Sequence, residues 1–158
     1  MLPLKRILLA TDFSDPARYA QQYAAELVDM CQAELHLLHV IAPLPVPTMG
    51  TPEFGYCTTP PSVMVEIEES SRQVLGNLFD DAWQSRHRIV KSVRVGTTVS
   101  IIIDYAKEHQ IDLIVVGTVG RTGLSHLLLG SVAESVVRKA HCPVLTVRPP
   151  SPRDDPFV

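Results

Sequence analysis

The stretch Asp112-Leu-Ile-Val-Val-Gly-Thr-Val-Gly-Arg-Thr-Gly-Leu-Ser-His-Leu-Leu-Leu-Gly-Ser-Val-Ala-Glu134 decides the fold. Its first part, Leu113 to Val116, is apolar without alternation, which is typical of a strand that is covered on both faces. A glycine-rich segment follows. After it, apolar residues recur at helical spacing, namely Val132, Val136, Val137 and Ala140. The stretch therefore predicts a strand, a glycine-rich loop and a helix in that order.

This order suits an anionic ligand. Glycine allows positive φ and a close approach of the backbone to a ligand. A helix start offers unpaired N–H groups and the positive end of the helix dipole. Thr122 and Ser131 add hydroxyl groups, and Arg121 adds a cation with a planar fork. The stretch predicts a phosphorylated ligand; the alternative is an ordinary turn in which the glycines only permit tight packing.

Composition limits the class of protein. The chain has 158 residues, 46% of them hydrophobic, which fits one globular domain with a substantial core. A net charge of −3 and a pI of about 6.0 do not indicate the basic surface that is typical of nucleic-acid-binding proteins. The three cysteines, Cys31, Cys57 and Cys142, are widely spaced, which predicts reduced thiols in the cytoplasm. We expect no signal peptide and no membrane segment, since no apolar run approaches about 20 residues.

Strand and helix patterns alternate along the rest of the chain. Four more strands are predicted at 7–10, 34–41, 89–95 and 143–147. One long helix is predicted over 62–86, with an inward stripe of Ile67, Val74, Leu78 and Ala82. Five strands and four helices in alternation predict an α/β fold: an open parallel sheet with helices on both faces, Rossmann-like. The proline-rich segment 42–61 predicts a long loop, and residues 149–158 predict a disordered tail after a domain at 1–148.

A strand order of 3-2-1-4-5 would make the first and fourth strands neighbours. Ligands of open α/β sheets bind at the carboxyl ends of strands where the order reverses. Asp12 follows the first strand, where it can reach a ribose hydroxyl, a base edge or the water shell of Mg²⁺. Its alternative role is to cap the first helix, although Ser14 is better placed for that. Val40 ends the second strand and either packs against a base or belongs to the core.

A longer motif resembles that of a known protein family. Gly117, Gly120, Gly130 and Ser131 have the spacing G-x2-G-x9-G-S/T. This pattern, with the Ala-Thr-Asp-Phe-Ser run near the start and the His-Cys-Pro-Val-Leu-Thr-Val run near the end, resembles the single-domain, nucleotide-binding universal stress proteins. The resemblance covers the chain to about Val147.

The resemblance implies that the protein binds ATP and that it forms a homodimer through the last strand, 143–147. If it binds ATP as a sensor, we expect Mg²⁺ to bridge the phosphates. It also implies the ligand contacts: Ala10, Thr11, Asp12, Val40, Val116, Gly117, Thr118, Val119, Gly120, Arg121, Thr122, Gly123, Gly130, Ser131, Val132 and Ala133. Val119 departs from the family, which often has a polar residue there, so one side-chain contact is lost.

Three functions remain open at this stage. The first is a nucleotide-dependent sensor or switch in the response to stress. The second is a slow ATPase or nucleotidyl-transfer enzyme, which has little support because the GxxxxGK[ST] loop is missing and too few groups are available to position a phosphoryl transfer. The third is a scaffold that has lost its nucleotide, which the intact glycine spacing disfavours.

Overall fold

A computed structural model describes residues 4–43, 60–118 and 129–150. The elements are, in chain order, β1 (Arg6–Ala10), α1 (Ala17–Cys31), β2 (Glu34–Ile41), α2 (Pro61–Gly76), α3 (Asp81–Gln84), β3 (Ile89–Val95), α4 (Thr98–Glu108), β4 (Leu113–Gly117), α5 (Ser131–Lys139) and β5 (Val144–Val147). The strands form one sheet in the order β3-β2-β1-β4-β5, and every neighbouring pair is parallel. The predicted fold class and strand order are confirmed.

The core lies in two layers, one on each face of the sheet. Successive residues of a strand point to opposite faces, so Leu8 and Leu9 of β1 enter different layers, each with no exposed surface. Helix α1 covers one face through Ala20, Ala24 and Val28. Helices α4 and α5 supply buried side chains to the other layer, which are Ile102, Ile103, Tyr105, Ala106, Ala133 and Val136. Burying one leucine contributes about 1.5–3 kcal/mol, so this double cover fixes the central strands.

The single helix predicted over 62–86 is wrong: the structure has two helices there. The first, α2, ends at Gly76, and the second, α3, begins after Asp80, whose carboxylate accepts a hydrogen bond from the Trp83 amide at 2.8 Å. This cap stabilises a new helix start. Helix α2 itself begins one residue earlier than predicted, because Pro61 fits the first turn, where its missing N–H costs nothing.

The apolar residues that recur at helical spacing in α5 do not all lie on its buried face. Val132 and Val137 are 40% and 48% exposed, whereas Ala133 and Val136 are buried. Residues 136 and 137 are separated by about 100° around a helix, so both cannot face the sheet. Val132 instead lines a cleft at the carboxyl ends of β1 and β4.

Some predictions fall outside the described residues, including most of the loop 42–61 and the tail from 151 onward. Of the cysteines, Cys31 and Cys142 carry free thiols, and Cys57 lies in the undescribed part. Among the helices of the described ranges, none has the length and apolar character that crossing a membrane requires.

Candidate functional site

A cleft of about 690 Å³ opens at the carboxyl ends of β1 and β4. These strands are neighbours, and Ala10 lies opposite Val116 in the sheet. The strand order reverses between them, since β2 and β3 continue on one side and β5 on the other. The cleft thus lies where an open α/β sheet places its ligand.

Eleven of the sixteen residues predicted as ligand contacts line this cleft. They come from four separate parts of the chain, namely Ala10, Thr11, Asp12, Val40, Val116, Gly117, Thr118, Gly130, Ser131, Val132 and Ala133. The other five lie outside the described residues: Val119, Gly120, Arg121, Thr122 and Gly123. The structure therefore brings the described candidates together, and their role as ligand contacts stays a prediction.

Asp12 is held in a tight local turn at the edge of the cleft. Its Oδ1 atom accepts hydrogen bonds from the Ser14 amide at 3.0 Å and from the Ser14 hydroxyl at 2.6 Å. A carboxylate bonded to the backbone two residues ahead is an Asx turn. Ser14 therefore orients Asp12 and does not cap α1, which begins at Ala17 with no side-chain cap bond.

The residues beside Asp12 are fixed by the neighbouring strand. Thr11 accepts the amide proton of Phe13 on its Oγ1 at 3.1 Å, and its carbonyl lies 2.8 Å from His39 Nδ1. Phe13 has a left-handed backbone with φ of 64°, and its ring stacks on His39 at 4.1 Å between centroids. A non-glycine residue at this φ costs on the order of 1–3 kcal/mol, so the stacking and the hydrogen bonds maintain an unfavourable turn at the cleft.

Gly130 is the residue that sets the start of α5. Its amide donates to the Thr118 carbonyl at 2.6 Å, and a Cβ at this position would lie 2.7 Å from the same oxygen. Only glycine allows this approach, because the contact is with backbone that cannot rotate away. The helix begins at Ser131 without a side-chain cap bond, and the residues of its first turn line the cleft.

Thr118 contributes an unusual hydroxyl. The residue is 5% exposed, its amide donates to the Val147 carbonyl at 2.8 Å, and its own carbonyl accepts from Gly130. Its Oγ1 atom is buried and has no hydrogen-bond partner. A buried hydroxyl without a partner is costly, and the residue that carries it is part of the cleft lining, as is the start of α5.

Helix α2 forms a side of the cleft that the sequence does not reveal. Five of its residues line the cleft, namely Met64, Ile67, Ser70, Ser71 and Val74. Ile67 and Val74 are 39% and 43% exposed, so their predicted role in the core is wrong. Their helical spacing indicates a shared face, but it cannot tell whether that face meets protein or an open cleft.

The described lining of the cleft carries few ionisable side chains. Among its described lining residues, the ionisable side chains are Asp12 and His39, and His39 is bonded to the Thr11 carbonyl. No group of three or more histidine, cysteine or acidic side chains suited to a metal ion occurs within residues 4–43, 60–118 and 129–150. Helix amides, small hydroxyl residues and an apolar side are groups that hold a polar ligand with one flat apolar part.

Comparison with known proteins gives one consistent family. Residues 3–148 match the model of the universal stress protein family. The chain is 33% identical to universal stress protein MJ0531 of Methanocaldococcus jannaschii over 92% of its own length and 83% of that protein's. It is 36% identical to universal stress protein A homolog 1 of Coxiella burnetii, covering 90% of this chain and 95% of the relative. The solved structure of the hypothetical protein MJ0577 superposes with a TM-score of 0.73 at 25% identity, covering 95% of this chain and 99% of that one.

Proposed function

Because the chain belongs to the universal stress protein family, we propose that it is an ATP-binding sensor or switch in the response to stress. The observation that carries the proposal is the convergence of eleven predicted contact residues on one cleft at the point where the strand order reverses. A site of this kind needs backbone amides for phosphates, a carboxylate for the sugar and an apolar surface for the base.

Other proteins of this fold support an adenine nucleotide as the ligand. A universal stress protein was solved in complex with cAMP, and one from Archaeoglobus fulgidus in complex with dAMP. Their TM-scores are 0.65 and 0.61, and each is 22% identical to this chain, covering 92% and 93% of it and 98% and 100% of the neighbour. At that identity the likeness shows a shared fold, so the proposal for this chain depends on its own cleft residues.

In the proposed complex, the phosphates lie at the amino end of α5. The amides of the first turn, Ser131 to Ala133, have no partner within the helix, and together with the positive end of the helix dipole they favour negative charge there. Gly130 lets the backbone close against Thr118, which brings that buried hydroxyl beside the same helix start. Asp12 receives the ribose hydroxyls, and Val40 lies beside the base.

Asp12 is also the residue that would hold Mg²⁺, through a bound water. Mg²⁺ prefers oxygen ligands and keeps several of its waters. A carboxylate whose Oδ1 already accepts two hydrogen bonds from Ser14 is fixed in orientation, which fits an outer contact with hydrated Mg²⁺. When bound, the ion would neutralise part of the charge on the phosphates.

The proposal includes a homodimer in the cytoplasm, paired through residues 143–147. Strand β5 is at one edge of the sheet, and Val144, Leu145 and Thr146 are only half buried there. Such an edge is a ready site for pairing with another strand. Binding at Thr118, whose amide is bonded to Val147 of β5, would connect the nucleotide to the dimer interface.

The test is ATP binding to the wild type and to Gly130→Val, with and without Mg²⁺, by titration calorimetry. We expect the wild type to bind and Gly130→Val to lose on the order of 100-fold in affinity or more, since the new side chain strikes the Thr118 carbonyl. Gly117→Val should have the same effect. Gly76→Ala is the matched control: its Cβ meets nothing within 4 Å, so its affinity should equal that of the wild type.

The outcomes separate the three functions. Bound ATP that stays intact for hours favours the sensor, and steady turnover that Asp12→Ala abolishes favours the enzyme. A wild type that binds no ATP at millimolar concentration leaves only the scaffold. Thermal unfolding of each variant shows whether lost binding reflects the cleft or the fold, and normal binding by Gly130→Val would show that the phosphate site is assigned to the wrong residues.

A further inference from the structure

The two halves of α2 are anchored very differently. In the carboxyl-terminal half, Ser71 and Leu75 are buried, and the Gly76 carbonyl accepts hydrogen bonds from Gln84 Nε2 at 3.0 Å and Lys91 Nζ at 3.3 Å. The amino-terminal half, residues 61–70, contains no buried residue. That half is nevertheless rich in apolar side chains, which are Val63, Met64, Val65 and Ile67.

These apolar residues divide between two faces of the helix. Met64 and Ile67 line the cleft together with Ser71 and Val74. Spacings of three and four residues place these four side chains in one stripe along the helix. Val63 and Val65 are 41% and 65% exposed and are not part of the cleft lining. Helix α2 therefore presents to the cleft an apolar surface that the protein leaves partly uncovered.

The rest of the cleft indicates what covers this surface. Asp12 and the start of α5 are polar and match the sugar and phosphates of a nucleotide. The base has large flat faces that gain from burial against apolar side chains. Val40 and Ile41 at the end of β2 supply more apolar lining for the same cleft.

We propose that Met64, Ile67 and Val74 form the wall against which the base of the bound nucleotide packs, and that this contact holds the amino-terminal half of α2 in place. This inference rests on the proposed function and deepens it. It makes residues 61–70 the part of the described chain whose order depends on whether the cleft is filled, because those residues have no buried side chain of their own.

The experiment compares Ile67→Gln with Val65→Gln, which introduces the same side chain on the same helix but outside the cleft. ATP and inorganic tripolyphosphate are titrated into the wild type and both variants. Ile67→Gln should weaken ATP about tenfold, because one hydrophobic contact in a pocket is worth that much, and should leave tripolyphosphate binding unchanged. Val65→Gln should bind both as the wild type does.

Hydrogen exchange gives an independent readout. Saturating ATP should slow amide exchange over residues 61–70 in the wild type and in Val65→Gln, and slow it less in Ile67→Gln at equal saturation. Tripolyphosphate should not slow it. Equal ATP affinity of Ile67→Gln and the wild type, or unchanged exchange over 61–70 on saturation with ATP, would overturn this inference alone. A wild type that binds no ATP would overturn the proposed function and this inference together.

Discussion

The two ends of the sheet use polar residues in opposite ways. At the amino ends of the strands, polar side chains bond to one another: His36 lies 3.0 Å from both the Tyr105 hydroxyl and Glu34 Oε1. At the carboxyl ends, the first residues of α5 line a cleft of about 690 Å³, together with Thr118, whose buried hydroxyl has no hydrogen-bond partner. Paired polar groups add to stability, whereas unpaired ones at an open cleft are suited to a ligand. We therefore expect stability to depend mainly on the amino end and the proposed nucleotide binding on the carboxyl end, although His109 Nε2 at the amino end is also buried without a hydrogen-bond partner.

Further contacts at the amino end connect three elements into one network. The Tyr105 ring of α4 packs against His109 at 4.1 Å between centroids and lies 5.2 Å from the Arg94 guanidinium. Asp112 Oδ2 accepts the amide protons of Lys5 and Arg6, each at 2.8 Å. Because the network joins β1, β2 and α4, its disruption should be felt in the whole domain, not in the cleft.

The largest expected effect on stability tests this assignment directly. His36→Ala removes a side chain that is 2% exposed and leaves the Tyr105 hydroxyl without its partner. We expect the free energy of unfolding to fall by about 2–4 kcal/mol, as for other large-to-small changes at buried sites. Urea unfolding measures it. ATP affinity, measured well below the unfolding midpoint, should not change.

If His36→Ala lost ATP affinity without losing stability, the contrast between the two ends of the sheet would be wrong, because a residue at the amino end would then contribute to binding. Arg138→Ala is the control for the stability measurement, since it removes a surface contact that should contribute little to the free energy of unfolding. Arg138 and Glu134 form an exposed pair at 2.8 Å on the surface of α5, and such pairs contribute about 0.3–0.5 kcal/mol.

The same histidine gives an intermediate effect that depends on pH. Burial lowers the pKa of His36 below its ordinary value of 6.5, outweighing the Glu34 carboxylate, which raises it; His109 and Arg6 lower it further. The unfolded chain therefore takes up this proton at higher pH than the folded protein does. The contribution of neutral His36 to the free energy of unfolding is fully present above pH 6.5. It is lost as the pH falls below 6.5 toward the pKa of His36 in the folded protein.

We expect the wild type to lose more stability than His36→Gln between about pH 7.5 and about pH 5.5, because only the wild type carries a histidine here whose pKa is lower in the folded protein than in the unfolded chain. Urea unfolding at both pH values measures the difference. An equal loss in the two proteins would mean that His36 is protonated as easily in the folded state as in the unfolded chain.

The sequence predicts the sheet better than it predicts the cleft. Strands over 34–41 and 89–95 have the bounds of β2 and β3, because apolar runs and alternation report directly on the sheet. The break between α2 and α3 is missed, because Asp80 reads as one more outward acidic residue until its bond to the Trp83 amide is seen. In that case a local hydrogen bond outweighs helical periodicity.

At the cleft, the glycine spacing predicts which residues converge but not what they touch. Nothing near Gly130 in the sequence indicates that a Cβ added at this position would lie 2.7 Å from the Thr118 carbonyl oxygen. Ile67 and Val74 read as core for a similar reason: periodicity finds a common face, and only the packing of α2 beside β2 shows that this face borders open space. Contacts between distant segments depend on the fold and are not encoded by local pattern.

The smallest expected change concerns the Thr118 hydroxyl. Thr118→Val replaces a buried hydroxyl without a partner by a methyl group of similar size. Because no hydrogen bond is lost in the free protein, its free energy of unfolding should stay equal or rise by up to about 1 kcal/mol. If the hydroxyl bonds the nucleotide, as proposed, ATP affinity should fall by roughly fivefold to tenfold.

Thr11→Val is the matched control, since it makes the same replacement in the same cleft but at a hydroxyl that accepts the Phe13 amide at 3.1 Å. Removing a used acceptor should cost about 1 kcal/mol of stability. Urea unfolding and calorimetry on both variants therefore distinguish a hydroxyl kept for a ligand from one that maintains the turn. If Thr118→Val destabilises the free protein as much as Thr11→Val does, the Thr118 hydroxyl serves the fold, and the contrast between the two ends of the sheet does not extend to this residue.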